Sequence, residues 1–366
     1  MRNLIDLTSL SYHITGIERF AMCITEEILK LDTVNEYVLL FRNEVYPVFS
    51  SYIDGKRVMA KVIHGNQKLL FFQVIIPFEL YRIKADNYLF FAFPSPILFF
   101  NKNIYNTIHD MGRWDCPETK GLHLFYFKTT EALSLKKAKH VFTVSYFSKE
   151  RINKLMNIPL DKITVTYNGI ANSLVNSDSN IGIVKSKYKL PEKYIMFLST
   201  LQPRKNLRLL LEAYSEIMDK IDYDLVLIGR VGWNVNDLIN QYNLNGRITF
   251  TGFVDDEDVA VIYKNAMCFI FPTLYEGFGI PPVEALSMGC PVISSDSSCM
   301  KEVLRKQAIY FENNNKEALK KLLIGLSNDA ENMPRQLDDY QRTNYSYKVS
   351  AERIISTLDE KSKERK

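Results

Sequence analysis

Cysteine is scarce and unpaired in this sequence: five residues, Cys23, Cys116, Cys268, Cys290 and Cys299, with no CxxC and no paired metal spacing. That pattern excludes a cysteine-based zinc site and a disulfide framework, and it predicts buried free thiols in a reducing compartment. Long apolar runs are missing as well. The opening MRNLIDLTSL has no apolar core of signal-peptide length. The most apolar stretch, YLFFAFPSPILFF (88–100), is too short to span a bilayer and holds two prolines. No fixed-period repeat is visible. Charge of one sign is not in large excess either, with a net +4 over 366 residues. The surplus is uneven, since residues 1–175 carry +5 and the remainder −1. A basic first half suits an anionic membrane surface or a phosphate-bearing ligand. The expectation is a soluble, cytoplasmic protein with peripheral contact at the inner face of the cytoplasmic membrane, and no nucleic acid partner.

What is present is an ordinary globular balance, 46% apolar and 24% charged, in a chain long enough for two domains. Short apolar runs alternate with amphipathic ones. NLIDLT (3–8) reads as a buried strand, and GIERFAMCITEEILKL (16–31) sets Ile17, Phe20, Ile24, Ile28 and Leu31 on one helical face. YVLLF, IYNTIHD, HVFTVS and KITVTYNGI continue the strands, and SKERINKLM (148–156) reads as a helix capped by Ser148. The stretch 171–193 is polar, Ser- and Asn-rich and without period, a linker signal. Alternation then restarts with YIMFLS, YDLVLIG, RITF, MCFIF and PVISS. Such β/α alternation implies parallel sheets wrapped by helices, and it occurs twice. The expected organisation is α/β: a domain over 1–174, a linker over 175–193, a second domain over 194–345, and a terminal helix over 346–366. Parallel sheets bind ligands at the carboxyl ends of their strands, so two facing sheets suggest a cleft between them.

Two loops carry the chemistry. FPTLYEGFGIPPVEALSMG (271–289) follows the apolar run MCFIF, and its carboxylates Glu276 and Glu284 stand eight residues apart. Pro281 and Pro282 suit a helix start and Gly289 its end, which puts Glu284 in the first turn. The N–H groups around Phe278, Gly279 and Ile280 then face out of a positive helix end, an anion site fit for phosphate. STLQPRKN (199–206) likewise lies between a strand and a helix. From it Arg204 and Lys205 project where a diphosphate needs neutralising. A third candidate is His109, at a strand end before Asp110 and a Gly-containing loop. The run DDED (255–258) has the look of a divalent-metal site but lies at a helix start, where Asp255 caps and Glu257 and Asp258 complement the dipole. No metal is expected.

Taken in order, TGIERF (15–20), IHDMGRWDCPE (108–118), VSYFSKERI (144–152), VTYNGI (165–170), PRKN, TGFVDDEDVAVIYKNA (251–266) and EGFGIPPVE resemble glycosyltransferase family 4 over roughly 1–310. The resemblance implies the GT-B fold, two Rossmann-like domains facing each other across a cleft. It implies a retaining hexosyltransferase using a nucleotide-diphosphate sugar as donor substrate, with no cofactor. Its mannosyltransferase-like members of surface-polysaccharide assembly, O-antigen or capsule, are the nearest in kind. By resemblance Glu276 supports the transferred sugar and Glu284 holds the ribose hydroxyls. His109 faces the sugar, and Gly16 lets backbone approach the donor phosphate or acceptor. The terminal helix crosses back to the first domain. One departure stands out: Ser199 and Thr200 occupy the place of a Gly-Arg pair, leaving phosphate contacts to Arg204 and Lys205, or to Thr200 as a neutral donor. A nucleotide-sugar epimerase, a glucan phosphorylase or a non-catalytic binding subunit are the alternatives. Aromatic, basic segments at 68–84, with Phe71, Phe72, Phe78, Tyr81, Lys68, Arg82 and Lys84, suggest a surface for anionic lipid and a lipid-linked saccharide acceptor.

Overall fold

A computed structural model describes residues 1–11, 15–66, 69–170, 180–200, 202–229, 241–242, 244, 246–329 and 332–364. The chain divides into two compact units, residues 1–169 with 343–366 and residues 170–342.

In the first unit the chain runs β1 (Arg2–Asp6), α1 (Gly16–Leu31), β2 (Glu36–Arg42), β3 (Val58–Ile63), α2 (Ile76–Arg82), β4 (Asn87–Phe90) and β5 (Ile104–Ile108). It continues through α3 (Gly112–Asp115), α4 (Gly121–Lys137), β6 (His140–Thr143), α5 (Tyr146–Met156) and β7 (Ile163–Val165). All pairings are parallel, in the order β3-β2-β1-β4-β5-β6-β7. The central strands are buried on both faces, every residue of β4, β5 and β6 included, with Asn87, Asn106, Thr107, His140 and Thr143 the polar ones. The helix α5 begins two residues earlier than the sequence suggested. Its cap is Ser145, whose Oγ accepts the Ser148 N–H at 3.0 Å, so Ser148 is inside the first turn rather than capping it.

The second unit holds α6 (Ile181–Tyr188), β8 (Tyr194–Leu198), α7 (Leu207–Ser215), β9 (Asp224–Ile228), β10 (Ile248–Gly252), α8 (Asp256–Asn265) and β11 (Cys268–Phe271). Then come α9 (Ile280–Ser287), β12 (Val292–Ser295), α10 (Met300–Leu304), β13 (Ile309–Phe311) and α11 (Lys316–Asp329), and α12 (Asp339–Asn344) runs across the 342/343 boundary into the first unit. The second unit's sheet is also parallel throughout, in the order β10-β9-β8-β11-β12-β13. The expected linker is not unstructured along its length. Residues 171–179 lie outside the described residues, but Ile181–Tyr188 is a helix, capped by the Asn180 side chain on the Gly182 N–H. Its composition hid it, since Val184 is its sole buried residue.

The last helix, α13 (Tyr347–Lys363), belongs to the first unit and packs on α1. It buries Tyr347, Ala351, Ile354 and Leu358, whereas Val349 and Ile355 are only half-buried. The Ser350 hydroxyl donates to the Tyr167 carbonyl at 2.7 Å and Arg353 to that of Val165 at 3.1 Å. Among the described residues no helix is long and apolar enough to cross a membrane. Cys268, Cys290 and Cys299 are buried free thiols, while Cys23 and Cys116 are half-buried.

Candidate active site

Both sheets reverse their strand order at one point, between β1 and β4 and between β8 and β11. A crevice opens at the carboxyl ends of strands that diverge in this way. The residues singled out in the sequence gather at these two places.

In the second unit, the loop after β8 forms a 3-10 turn, Pro203–Lys205, and ends on Asn206 in left-handed backbone (φ 56°). The loop after β11 lies against it. The Leu274 N–H donates to the Arg204 carbonyl at 2.8 Å, and the Thr273 hydroxyl is 3.1 Å from the same oxygen. This zips the loops together and sets their side chains face to face. Lys205 Nζ donates to Glu276 Oε1 at 2.5 Å, and Arg204 Nη1 to Oε2 at 3.4 Å and to the Tyr275 carbonyl at 3.2 Å. Glu276 is only 6% exposed. Thr200 is exposed at the rim, its carbonyl accepting from Ser199 Oγ at 2.7 Å and the Gln202 N–H at 2.8 Å.

Glu284 is not in the first turn of α9. The helix starts at Ile280, with Gly279 at the cap position in left-handed backbone (φ 83°), so Glu284 is its fifth residue and is buried. Pro281 and Pro282 fall inside the first turn and lack N–H groups, so the amide donors at this helix start reduce to those around Phe278, Gly279 and Ile280. A Cβ on Gly279 would meet Met300 Cε at 2.7 Å. Asp255 does occupy the cap position of α8, but its side chain makes no capping bond, while Asp258 is paired with Lys187 at 2.6 Å.

Sequence reasoning passed over the residues that hold Glu276 in place. Thr273 is fully buried, and its hydroxyl lies 3.0 Å from Glu276 Oε1. The Glu276 N–H donates to Ser298 Oγ at 2.9 Å, and Ser298 itself has φ 48°. Gly229, just past β9, was passed over too: a Cβ there would sit 1.9 Å from the Ser199 carbonyl oxygen. Single Ser, Thr and Gly residues carry no spacing signal, so only the fold exposes them.

In the first unit, His109 follows β5 and reaches the switch point. Its Nε2 lies 2.8 Å from the carbonyl of Phe91, the residue just past β4, and the Phe20 ring of α1 meets it edge-on at 5.0 Å. A carbonyl only accepts, so Nε2 carries the proton and Nδ1 presents a lone pair. Burial pushes the His109 pKa down, outweighing the Phe91 bond and Asp110, which favours the neutral ring. Gly16 is the exposed first residue of α1. The carboxylate of Glu18 already bonds the Thr15 N–H at 2.7 Å, so this helix start is served by its own acid. Asp6, also missed in the sequence, ends β1 at the same switch point and accepts from the Thr8 hydroxyl at 2.7 Å.

The family model described as glycosyl transferases group 1 matches residues 181–344, nearly the whole second unit. Over that span the chain matches the group 1 glycosyl transferases, and it is a glycosyltransferase. This glycosyltransferase is 27% identical over 329 residues to O-antigen chain mannosyltransferase B of Escherichia coli, covering 85% of this chain and 86% of that protein. It is 30% identical over 207 residues to O-antigen chain mannosyltransferase RfbU of Salmonella typhimurium, covering 56% and 55%. Among solved structures, the sucrose-phosphate synthase of Thermosynechococcus elongatus superposes with a TM-score of 0.77 at 16% identity, over 98% of each chain. The Anabaena HepE structure with UDP and glucose gives a TM-score of 0.74 at 16% identity, over 98% of this chain and 100% of that one. At such identities the likeness shows the fold, and the glycosyltransferase has the two-sheet α/β architecture of the GT-B class.

Proposed function

We propose that the enzyme transfers a mannose-type hexose, with retention, from a nucleotide-diphosphate sugar to a lipid-linked saccharide of surface-polysaccharide (O-antigen) assembly. The observation that carries this reading is the meeting of Arg204 and Lys205 with Glu276 at the β8/β11 switch point. Two cations there suit the diphosphate leaving group, and a carboxylate beside them suits the sugar hydroxyls or the charge that develops at the anomeric carbon. Glu284, on the helix that follows, suits ribose hydroxyls. The His109 Nδ1 lone pair, in the first unit, suits a hydroxyl of a saccharide bound there. The names of the two curated relatives support mannose and O-antigen. Charge on the leaving group is met by side chains, so no metal enters the proposal. Incubation with GDP-mannose and a lipid-linked acceptor, with the product's anomeric configuration read by NMR, tests it. An inverted linkage contradicts retention, and absence of transfer from every nucleotide sugar contradicts the reading as a whole.

Peripheral membrane contact belongs to the same proposal, with a corrected surface. Phe71 is buried and Phe72 half-buried, so neither faces out, and Lys68 lies outside the described residues. Helical residues 69–82 instead expose Leu70, Val74, Phe78 and Tyr81 along one side. The Tyr81 hydroxyl ties in the exposed Phe100, whose N–H it accepts at 2.7 Å. At the end of this stripe Arg2, Lys61, Arg82 and Lys84 line a cavity of about 400 Å³, tempered by Glu79 at 3.4 Å from Arg82 and 3.7 Å from Lys61. An apolar stripe with a cationic end suits the headgroup region of an anionic bilayer. Flotation with anionic liposomes at low salt, lost with neutral vesicles and weakened in high salt, is the expected result. Equal recovery with both vesicle types counts against it.

A further inference from the structure

The two cations that suit a diphosphate, Lys205 and Arg204, both pair with Glu276. Glu276 accepts from Lys205 at 2.5 Å and from Arg204 at 3.4 Å, in a setting where all three are screened; their side chains are 7%, 12% and 22% exposed. Low local dielectric strengthens such a pair well beyond its worth in water.

The two sides of this pair differ in freedom. The carboxylate is pinned: Thr273 bonds its Oε1, Ser298 accepts its backbone N–H, and the Cys299 thiol donates to its carbonyl at 3.3 Å. Thr273 is anchored in turn, its carbonyl accepting from the hydroxyls of Ser295 at 2.5 Å and Ser297 at 2.7 Å. The cations stand at the ends of long side chains from a single 3-10 turn; Arg204 also donates to Gln202 Oε1 at 3.3 Å and to the Tyr275 carbonyl at 3.2 Å, and Lys205 lies over the Phe271 ring at 5.7 Å. The anion is thus anchored through its side chain and through both polar groups of its backbone, whereas the cations reach it through longer side chains with more rotatable bonds.

We propose that Glu276 acts as an internal counter-anion, and that the donor's diphosphate draws Lys205 and Arg204 away from it, leaving the carboxylate to face the sugar. The inference rests on the donor-site reading above. No covalent bond changes; two cations exchange one anionic partner for another. When the nucleoside diphosphate leaves, Glu276 recovers the cations, so the same residue restrains product affinity. Thr273 and Ser298 are positioning residues, because a carboxylate free to follow Lys205 would not be left behind at the sugar.

Calorimetric titration of the full chain with GDP, UDP and inorganic diphosphate tests this on the parent, Glu276→Gln and Glu276→Asp. The exchange predicts that the Gln variant binds its nucleoside diphosphate about tenfold tighter than the parent, the scale of one charge-assisted hydrogen bond. The Asp variant, charged but shorter, falls between and serves if the Gln variant is misfolded. Unchanged or weaker binding in both overturns the exchange. Tightening toward inorganic diphosphate with no binding of GDP or UDP upholds the exchange and overturns the nucleotide-sugar reading instead. No binding of any of the three to any variant overturns both. Thr273→Val should lower kcat about tenfold and Thr273→Ser restore it; parent kcat in Thr273→Val overturns the positioning role.

Discussion

Lys205 and Glu276 are 71 residues apart in sequence and 2.5 Å apart in space, because their loops leave β8 and β11 side by side at the point where the strand order reverses. Replacing either by alanine should lower turnover by roughly 10²–10³, the scale of losing one preorganised charge contact. Both variants should also unfold at lower temperature, since each takes the shortest ionic contact away from a largely buried charge. Glu284→Ala should act differently, raising KM for the donor more than it lowers kcat, because ribose contacts are made equally before and during reaction. Steady-state kinetics on the three variants separate these outcomes.

Gly229 and Gly289 offer a paired test of the second unit's geometry. Both have positive φ, 147° and 79°. A Cβ on Gly229 would collide with the Ser199 carbonyl, whereas one on Gly289 meets nothing within 4 Å. Gly229→Ala should therefore cost about 3 kcal/mol or more and displace the loop that carries Arg204 and Lys205. Gly289→Ala should cost only the backbone strain, about 1–2 kcal/mol. Urea unfolding of both variants checks the difference; equal losses would contradict the close approach at Ser199.

His140 gives a prediction in pH. It is buried with Nε2 on Thr164 Oγ1 at 2.8 Å, and burial, then Lys361 and Lys149, push its pKa down to about 4 from an ordinary 6.5. Between those values the unfolded chain binds a proton that the native chain refuses. Stability must therefore fall as the pH drops from about 6.5 toward about 4, by roughly 3 kcal/mol in all, and level off below. His140→Gln should flatten that part of the pH–stability curve, measured by thermal unfolding.

The parts of this account that were legible in the sequence share a cause: a period or a spacing. α1 was readable to the residue from Ile17, Phe20, Ile24 and Ile28, and β2 and β11 from apolar runs that only a doubly covered sheet tolerates. The Arg204–Lys205 and Glu276 loops were visible because each follows a strand. The remainder depends on tertiary contacts. α6 shows no apolar stripe because Val184 alone is buried, and Phe71 looks like its exposed neighbours until the sheet covers it. Glu284 was placed one residue too early in its helix, in the first turn, because Gly279, not a proline, sets the start of α9. Thr273 and Ser298 are ordinary letters in the chain, and their meaning comes only from Glu276 beside them.

Transfer should proceed without a divalent cation. Among the described residues the acidic run at 255–258 is bound up in the start of α8 and in Lys187, and Arg204 and Lys205 already bring positive charge to the proposed diphosphate position. Turnover should persist in EDTA. Activity abolished by EDTA and restored by magnesium or manganese would contradict this.

If Arg204, Lys205 and Glu276 form the donor site of a nucleotide-sugar transferase, the cleavage of the donor must depend on them. The most direct test is slow hydrolysis of a panel of nucleotide-diphosphate sugars without acceptor, followed as released nucleoside diphosphate, for the parent and Lys205→Ala. The parent should release nucleoside diphosphate from one mannose-type donor, and Lys205→Ala at a rate lower by roughly 10²-fold or more. Release at the same rate from both proteins, or from neither with any donor in the panel, would contradict the donor-site assignment.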